Sequence, residues 1–427
     1  MTPAEARAFL ASLAPFGMRF GLERMDAVLA ALGHPERSLK VLHVAGTNGK
    51  GSTCAFAQSM LAQSGARVGL YTSPHLLRVN ERIRVGEEEI SDEAFARGVT
   101  EILKAFPEAR SPKDPLTYFE LGTALALWHF AQEGVEEVVL ETGLGGRLDA
   151  TNATKARVSV VTRIALDHTA ILGETLALIA AEKAGIFKAF APVVLARQEG
   201  EALEVLERMA AAAGQPAKVA GRDFLLEGEG PFTFREPAAG VVIEDLKLGL
   251  LGPHQRLNAE LAIAAVRRFR PQITAHEIRT GLASTRWAGR LETIGSLPRT
   301  LLDGAHNPDG ARALAQALAA HFPKARVHLV FGVLGDKDVH GIAQALLPLA
   351  HRVYLASPAN ERALPIGALV ALASILGVAG EPHRSVADAV AAAQKDALAS
   401  GADALVLVAG SLYVVGEARA ALLGRST

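Results

Sequence analysis

One stretch constrains this 427-residue chain more than any other: Val41-Leu-His-Val-Ala-Gly46-Thr47-Asn48-Gly49-Lys50-Gly51-Ser52-Thr53, an apolar run that breaks into a glycine loop with a lysine and hydroxyls. The apolar run reads as a short buried strand and residues 52–63 as a helix, so the loop sits where a strand hands over to a helix. Glycines let the backbone bend until successive N–H groups converge, and the lysine beside them adds a mobile positive charge. Such a loop predicts a cradle for the phosphates of ATP or GTP. Its spacing departs from the common pattern: two residues rather than four separate Gly46 from the Gly49-Lys50 pair, and Gly51 stands where Ser or Thr is usual. A plain turn between strand and helix is the alternative.

A chain of this length exceeds what one hydrophobic core organises, so two domains are expected. The 44 basic and 45 acidic residues balance, which argues against broad adhesion to nucleic acid or anionic lipid and points to small-molecule partners. Cys54 is the only cysteine, which excludes an intrachain disulfide and a multi-cysteine metal site; beside the loop it reads as a packed small residue. No apolar run is long enough to span a bilayer, and residues 1–20 lack a basic flank followed by a sustained apolar core, so a cytoplasmic protein is expected.

Apolar runs at 67–71, 136–140, 158–162 and 192–196 alternate with helix-period segments such as 117–132 and 175–188. That alternation predicts a mostly parallel sheet covered by helices. Between 223 and 251 the pattern changes to short, glycine-punctuated, half-polar strands, expected to form an antiparallel flap or a small side sheet. After helix-like segments at 258–269 and 276–283, a second alternating series begins at 299–302 and continues through 326–331, 352–356 and 404–408, with a helix at 386–399. The expected domains are therefore 1–295 and 296–427.

Ligands of open α/β sheets sit at the carboxyl ends of strands. Three further strand ends here carry polar groups: Thr72-Ser73-Pro74-His75, Glu141-Thr-Gly-Leu-Gly-Gly146-Arg147-Leu-Asp149-Ala-Thr151-Asn152, and Asp167-His168. A carboxylate such as Glu141 with a hydroxyl such as Ser73 suits the Mg²⁺ of a nucleotide, which takes hard oxygen ligands and keeps waters. Each group alone reads equally well as a surface, capping or structural residue.

Taken together, these motifs resemble those of the folylpolyglutamate synthases, including the bifunctional dihydrofolate synthases, within the wider Mur-ligase group. The resemblance runs over nearly the whole chain: Phe20-Gly-Leu-Glu-Arg-Met25, Gly46 to Ser52, Thr72-Ser-Pro-His75, Leu116-Thr-Tyr-Phe-Glu120, Glu141-Thr-Gly-Leu-Gly-Gly-Arg147, Leu166-Asp-His168, Glu182-Lys-Ala-Gly-Ile186, Gly289-Arg-Leu-Glu292, Asp303-Gly-Ala-His-Asn-Pro308 and Gly410-Ser-Leu-Tyr413. It implies an α/β fold with a P-loop Mur-ligase-like central domain, holding a mostly parallel sheet, and a C-terminal Rossmann-like α/β domain. The implied activity is that of an ATP-dependent ligase joining L-glutamate to dihydropteroate, reduced folates or both through an acyl phosphate. On this reading residues 1–295 bind ATP and folate, residues 296–427 bind glutamate, and the chain works as a monomer.

Residue by residue, the resemblance assigns Gly46, Thr47, Asn48, Gly49, Lys50, Gly51 and Ser52 to nucleotide phosphates, with Lys50 also catalytic, and Ser73, Glu141 and His168 to magnesium. Histidine is an unusual ligand for so hard an ion, and a structural His168 is the alternative. Lys183 matches the lysine that family members carry as a carbamate able to hold a second magnesium; a helix-surface lysine is its alternative. Asn258, Arg290 and Asp303 match nucleotide contacts, against bland readings as a helix N-terminal amide, a surface charge and a helix cap. Thr117, Tyr118, Phe119 and Glu120 with Leu148, Asp149 and Ala150 match the segments that hold the pterin acid, Phe119 competing with a core-packing role. His306, also counted as catalytic, and Ser411 match residues implicated in holding glutamate, and a His-Asn-Pro turn is the structural alternative. Two other functions share part of the pattern: a Mur-type ligase acting on a UDP-sugar peptide, and an ATP-dependent switch without acyl chemistry.

Overall fold

The computed structural model describes residues 1–424 apart from Pro15, Phe16, Met18, Pro112 and Glu199. The chain forms two compact units, one of residues 1–249 and 257–285 and one of residues 250–256 with those from 286 onward. The division thus falls between Thr285 and Arg286, earlier than the expected 295/296. The second unit therefore takes in Glu292–Ile294, a strand not expected from the sequence, which pairs antiparallel with Arg299–Leu302 and so joins the second sheet.

Among the described residues the first unit has an eight-stranded sheet: β1 (Lys40–Ala45), β2 (Val68–Tyr71), β3 (Ile83–Val85), β4 (Glu88–Glu89), β5 (Glu137–Glu141), β6 (Ala156–Val161), β7 (Val193–Leu195) and β8 (Lys218–Val219), in the order β4-β3-β2-β5-β1-β6-β7-β8. Every neighbouring pair from β2 to β8 is parallel. Strands covered on both faces must be apolar throughout rather than alternating, which is why β1 is buried from Val41 to Ala45 and why these runs stand out in the sequence. The polar hairpin β3–β4 extends one edge antiparallel and carries no comparable signal. Strands β9 (Leu225–Glu227), β10 (Phe232–Glu236) and β11 (Val241–Leu246) form the expected antiparallel flap.

Two helices differ from expectation in ways that matter for the site. The helix after the glycine loop, Lys50–Ala62, starts two positions early, so Lys50 belongs to its first turn. It runs through the core, with Thr53, Cys54 and Phe56 fully buried; burial pushes the Cys54 thiol well up, as a packed residue rather than a nucleophile requires. The second, Pro253–Phe269, begins on a proline, a residue whose missing N–H costs nothing at a helix start, so Asn258 lies inside the helix and not at its N-terminus.

The sheet of the second unit contains β12 (Glu292–Ile294), β13 (Arg299–Leu302), β14 (Arg326–Phe331), β15 (Ala350–Leu355), β16 (Gly380–Pro382) and β17 (Ala404–Ala409), in the order β12-β13-β17-β14-β15-β16 and parallel except at β12. Asn307 caps the helix Pro308–His321 and Ser411 the helix Leu412–Leu423, each through its side-chain oxygen. Among the described residues no helix is long and apolar enough to cross a membrane.

Candidate active site

Strands β2, β5, β1 and β6 are consecutive neighbours and parallel, so their carboxyl ends line one edge of the sheet. From those ends emerge the Ser73 segment, Glu141, the glycine loop and the Asp167-His168 segment. Glu141 is 4% exposed, and its Oε2 accepts the Ser73 N–H at 3.2 Å while its Oε1 lies 4.0 Å from Lys50 Nζ. Separate motifs are thereby gathered into one cluster of a cation, a buried carboxylate and a serine.

Inside the glycine loop the backbone takes conformations that favour glycine, with φ of 150° at Gly46 and 89° at Gly49. A Cβ on Gly46 would collide with the Thr162 hydroxyl, and one on Gly49 with the Asn258 amide oxygen. The amides are not all available to a ligand, however. Thr47 and Asn48 both donate to the Arg163 carbonyl, at 2.9 and 3.3 Å, and the Thr47 hydroxyl lies 3.1 Å from the Ala165 carbonyl and amide. These contacts tie the loop to the segment after β6, so Thr47 and Asn48 shape the loop rather than present backbone donors. The first intrahelical bond closes from the Thr53 N–H to Gly49 O, 2.9 Å. Ahead of it, the Lys50, Gly51 and Ser52 amides open the first turn, where a helix has no internal partners to offer.

Lys183 lies on the helix Leu176–Ala184 and is 3% exposed, which rules out the helix-surface alternative. Burial, reinforced by the charge of Lys50 and opposed by Asp167 and Asp149, pulls its ammonium down to about 7. The neutral amine is thereby favoured far more than in an exposed lysine. Beside it the Gly143–Gly146 region packs tightly: a Cβ on Gly146 would come 2.8 Å from the Lys183 carbonyl, and the Arg147 N–H donates to Glu182 O at 2.8 Å. His168 has φ of 52°, is exposed, and donates its own N–H to Asp167 Oδ1 at 2.9 Å.

The segments expected to hold the acceptor divide by role. Thr117 caps the helix Tyr118–Gln132, with Glu120 closing a reciprocal capping box and pairing with Arg24 at 2.9 Å. Both are buried and structurally employed. Tyr118 and Phe119 remain half-buried; the Arg82 guanidinium lies 5.1 Å from the Tyr118 ring centre, and Phe119 sits against Gly143 and 5.9 Å from the Tyr71 ring. Leu148 is half-buried and Ala150 buried. Asp149 is 6% exposed and accepts N–H groups from Gly143, Leu144 and Thr151, so its carboxylate is committed to its own turn. Arg24, Thr151 and His43 all lie inside stretches that the sequence singles out, yet nothing in those stretches gives any of the three a role; for His43 the visible signal is a histidine inside an apolar strand.

In the second unit, β13 and β17 are parallel neighbours, and their carboxyl ends carry Asp303 to His306 and Ser411. Asp303 is also turned inward: Oδ2 accepts the Leu291 N–H and Oδ1 the Ala305 N–H, both at 3.0 Å. Leu291 is a buried, bulky residue held at φ of 45°, a conformation costing on the order of 1–3 kcal/mol. Its neighbour Arg290 is half-buried and donates to Gly289 O at 3.0 Å, and His306 Nδ1 lies 2.8 Å from Gly304 O.

The donor set suits a hard divalent cation: one buried carboxylate with a serine beside it. Among the described residues no group of three or more His, Cys, Asp or Glu side chains is placed to hold a metal alone. Magnesium needs none, since it binds through one or two carboxylates and completes its shell with phosphate oxygens and water.

A four-strand edge joining a glycine loop to a buried carboxylate, followed by a second parallel-sheet unit, is the arrangement of the Mur ligases. Family models for the Mur ligase middle domain and the Mur ligase glutamate ligase domain match residues 44–266 and 289–412. A dihydrofolate synthase/folylpolyglutamate synthase of Bacillus subtilis is 37% identical, the match covering 97% of this chain and 98% of that one. A probable bifunctional folylpolyglutamate synthase/dihydropteroate synthase of Haloferax volcanii is 40% identical, and this chain spans about half the length of that protein and of its Halobacterium salinarum counterpart, 50% and 51%. Escherichia coli FolC, solved with DHPP and ADP, superposes with a TM-score of 0.90 at 36% identity over 99% of this chain and 98% of that one. A Mycobacterium tuberculosis folylpolyglutamate synthase solved with ADP and AMPPCP gives 0.91 at 34% identity over 99% of both. The chain belongs to the folylpolyglutamate synthase/dihydrofolate synthase family.

Proposed function

We propose that this chain is an ATP-dependent ligase that joins the amino group of L-glutamate to dihydropteroate, to reduced folates, or to both. The observation that carries the reading is the Lys50, Glu141 and Ser73 cluster at the carboxyl ends of β1, β5 and β2. Whole-length relatives named for these two reactions, and a solved relative binding ADP and DHPP, support the substrate classes.

A carboxylate is a poor acylating agent. Magnesium-bound ATP would supply the phosphoryl group that turns the acceptor acid into an acyl phosphate, with ADP as the leaving group; the glutamate amine would then attack the acyl carbon and displace phosphate to leave the amide. The chain's own contribution is electrostatic and positional. Lys50 and the first-turn amides of the helix Lys50–Ala62 hold phosphate oxygens; Glu141, Ser73 and His168 are assigned to the metal. Lys183, buried and with its ammonium disfavoured, is suited to take up CO₂ as a carbamate, which would exchange a cation for an oxygen-rich anion. Phe119 and Tyr118 offer flat faces to a pterin. In the second unit Arg290 is assigned to phosphate and His306 and Ser411 to glutamate, whereas Thr117, Glu120, Asp149 and Asp303 act by holding the backbone of these groups. The deciding experiment is a coupled ADP-release assay with glutamate, comparing dihydropteroate with tetrahydrofolate. Glutamate-dependent release with either acceptor is expected; release with neither refutes the proposal.

A further inference from the structure

β1 is apolar from Val41 to Ala45 except at His43, whose side chain is fully buried. Its Nε2 lies 2.8 Å from Thr151 Oγ1, and its Nδ1 has no hydrogen-bond partner among the described residues. The Thr151 hydroxyl in turn meets Asp149 Oδ1, which also accepts the Thr151 N–H at 3.0 Å. On the other oxygen, Oδ2, the Gly143 and Leu144 N–H groups converge, each at 2.9 Å. Three backbone donors make the carboxylate an acceptor at both oxygens, so the one hydroxyl proton of Thr151 goes to Asp149 and Thr151 Oγ1 must itself accept. It follows that His43 carries its proton on Nε2 and leaves Nδ1 bare, which matches the orphaned atom.

This chain of bonds ends in the turn at 143–146, which touches both sides of the proposed site. A Cβ on Gly143 would come 2.5 Å from the Phe119 ring, and one on Gly146 2.8 Å from the Lys183 carbonyl, so the turn cannot shift without moving the flat acceptor face or the Lys183 helix. We propose that His43 is a positioning residue for the ligase reaction: from inside β1 it fixes, through Thr151 and Asp149, the turn against which Phe119 and Lys183 are seated. The inference rests on the ligase reading above. His43 touches no reacting atom. Burial, with the nearby Lys188 charge, keeps it neutral, so it works as a fixed donor and not as a base.

Thr151→Val removes the hydroxyl at nearly constant volume, and Thr151→Ser keeps it. The valine variant is expected to raise the KM for the acceptor acid and lower kcat, a combined loss of about tenfold or more in kcat/KM, because the buried His43 Nε2–H loses its acceptor and Asp149 Oδ1 keeps only the Thr151 N–H. Its Kd for ATP without acceptor should stay within about twofold, and the serine variant should recover kcat/KM. A second readout is independent of turnover: ring ¹⁵N spectra of the histidine-labelled full chain, assigned with His43→Gln, should show the Nε2–H tautomer without titration between about pH 5 and 9. Wild-type kcat/KM in Thr151→Val, loss of ATP affinity in parallel with activity, or an Nδ1–H tautomer each overturns the inference. If instead the unmodified chain shows no glutamate-dependent ADP release, the ligase reading falls and this inference with it, an outcome distinct from an active chain indifferent to Thr151→Val.

Discussion

The Lys50 ammonium stands 4.0 Å from Glu141 Oε1, so a cation on the first turn of a helix faces a carboxylate buried at the next strand end. Lys50 Nζ also donates to Thr47 O at 3.3 Å, which holds it over its own loop. A positive group fixed in advance where negative charge develops is what phosphoryl transfer demands. Lys50→Ala should therefore lower kcat by about 10²–10³-fold while circular dichroism shows a folded chain. Near-normal turnover would remove the loop from the mechanism.

Glu141 has a different signature. Glu141→Ala takes away the carboxylate assigned to magnesium, so activity should shift to much higher metal concentrations or vanish, while Glu141→Gln keeps an acceptor for the Ser73 N–H and tests charge alone. A magnesium titration of ADP release that superposes on the wild-type curve would exclude Glu141 as a ligand.

Much of this edge is legible in the sequence because parallel strands buried on both faces are written as apolar runs and each ends abruptly in polar residues; β1, β2, β5 and β6 are found this way within a residue or two. What the sequence hides is how polar groups are spent. The Thr47 and Asn48 amides look available until Arg163, far along the chain, brings its carbonyl to them. Asp149 and Asp303 are matched to ligand contacts by the resemblance, yet each carboxylate also accepts nearby amides, a choice fixed by local backbone angles that composition does not encode. The left-handed Leu291 has no sequence mark at all, since leucine is a residue one would never place there.

Lys183 gives a pH prediction with a definite sign. Its ammonium falls from the ordinary 10.5 to about 7 on folding. Between those values the unfolded chain holds a proton that the folded chain has released, so stability rises with pH across the window, by up to about 1.4 kcal/mol per pH unit. Below about 7 both states are protonated and this slope disappears. In CO₂-free buffer, denaturant unfolding from pH 7 to 10 should show the rise in the wild type and lose it in Lys183→Met. Carbamate formation would consume the neutral amine, so added bicarbonate should stabilise the wild type and leave Lys183→Met unchanged. Equal pH slopes in the two proteins would contradict the buried-amine assignment.

Asp303 separates a binding role from a structural one. If it served only as a ligand contact, its removal would leave stability unchanged or improved, because functional groups are rarely placed for stability. Held as it is against the Leu291 and Ala305 amides, Asp303→Ala strands two N–H groups in a buried setting, and any relief of strain at Leu291 offsets only part of that, for a net loss of about 2–4 kcal/mol. Asp303→Asn keeps one acceptor oxygen and should lose about half as much. The chain has two tryptophans, and Trp287 belongs to the second unit, so in a Trp128→Phe background its fluorescence follows the unfolding of that unit. A shift of the denaturation midpoint in the order Ala, Asn, wild type is expected. Coincident curves for all three would return Asp303 to the role of a nucleotide contact.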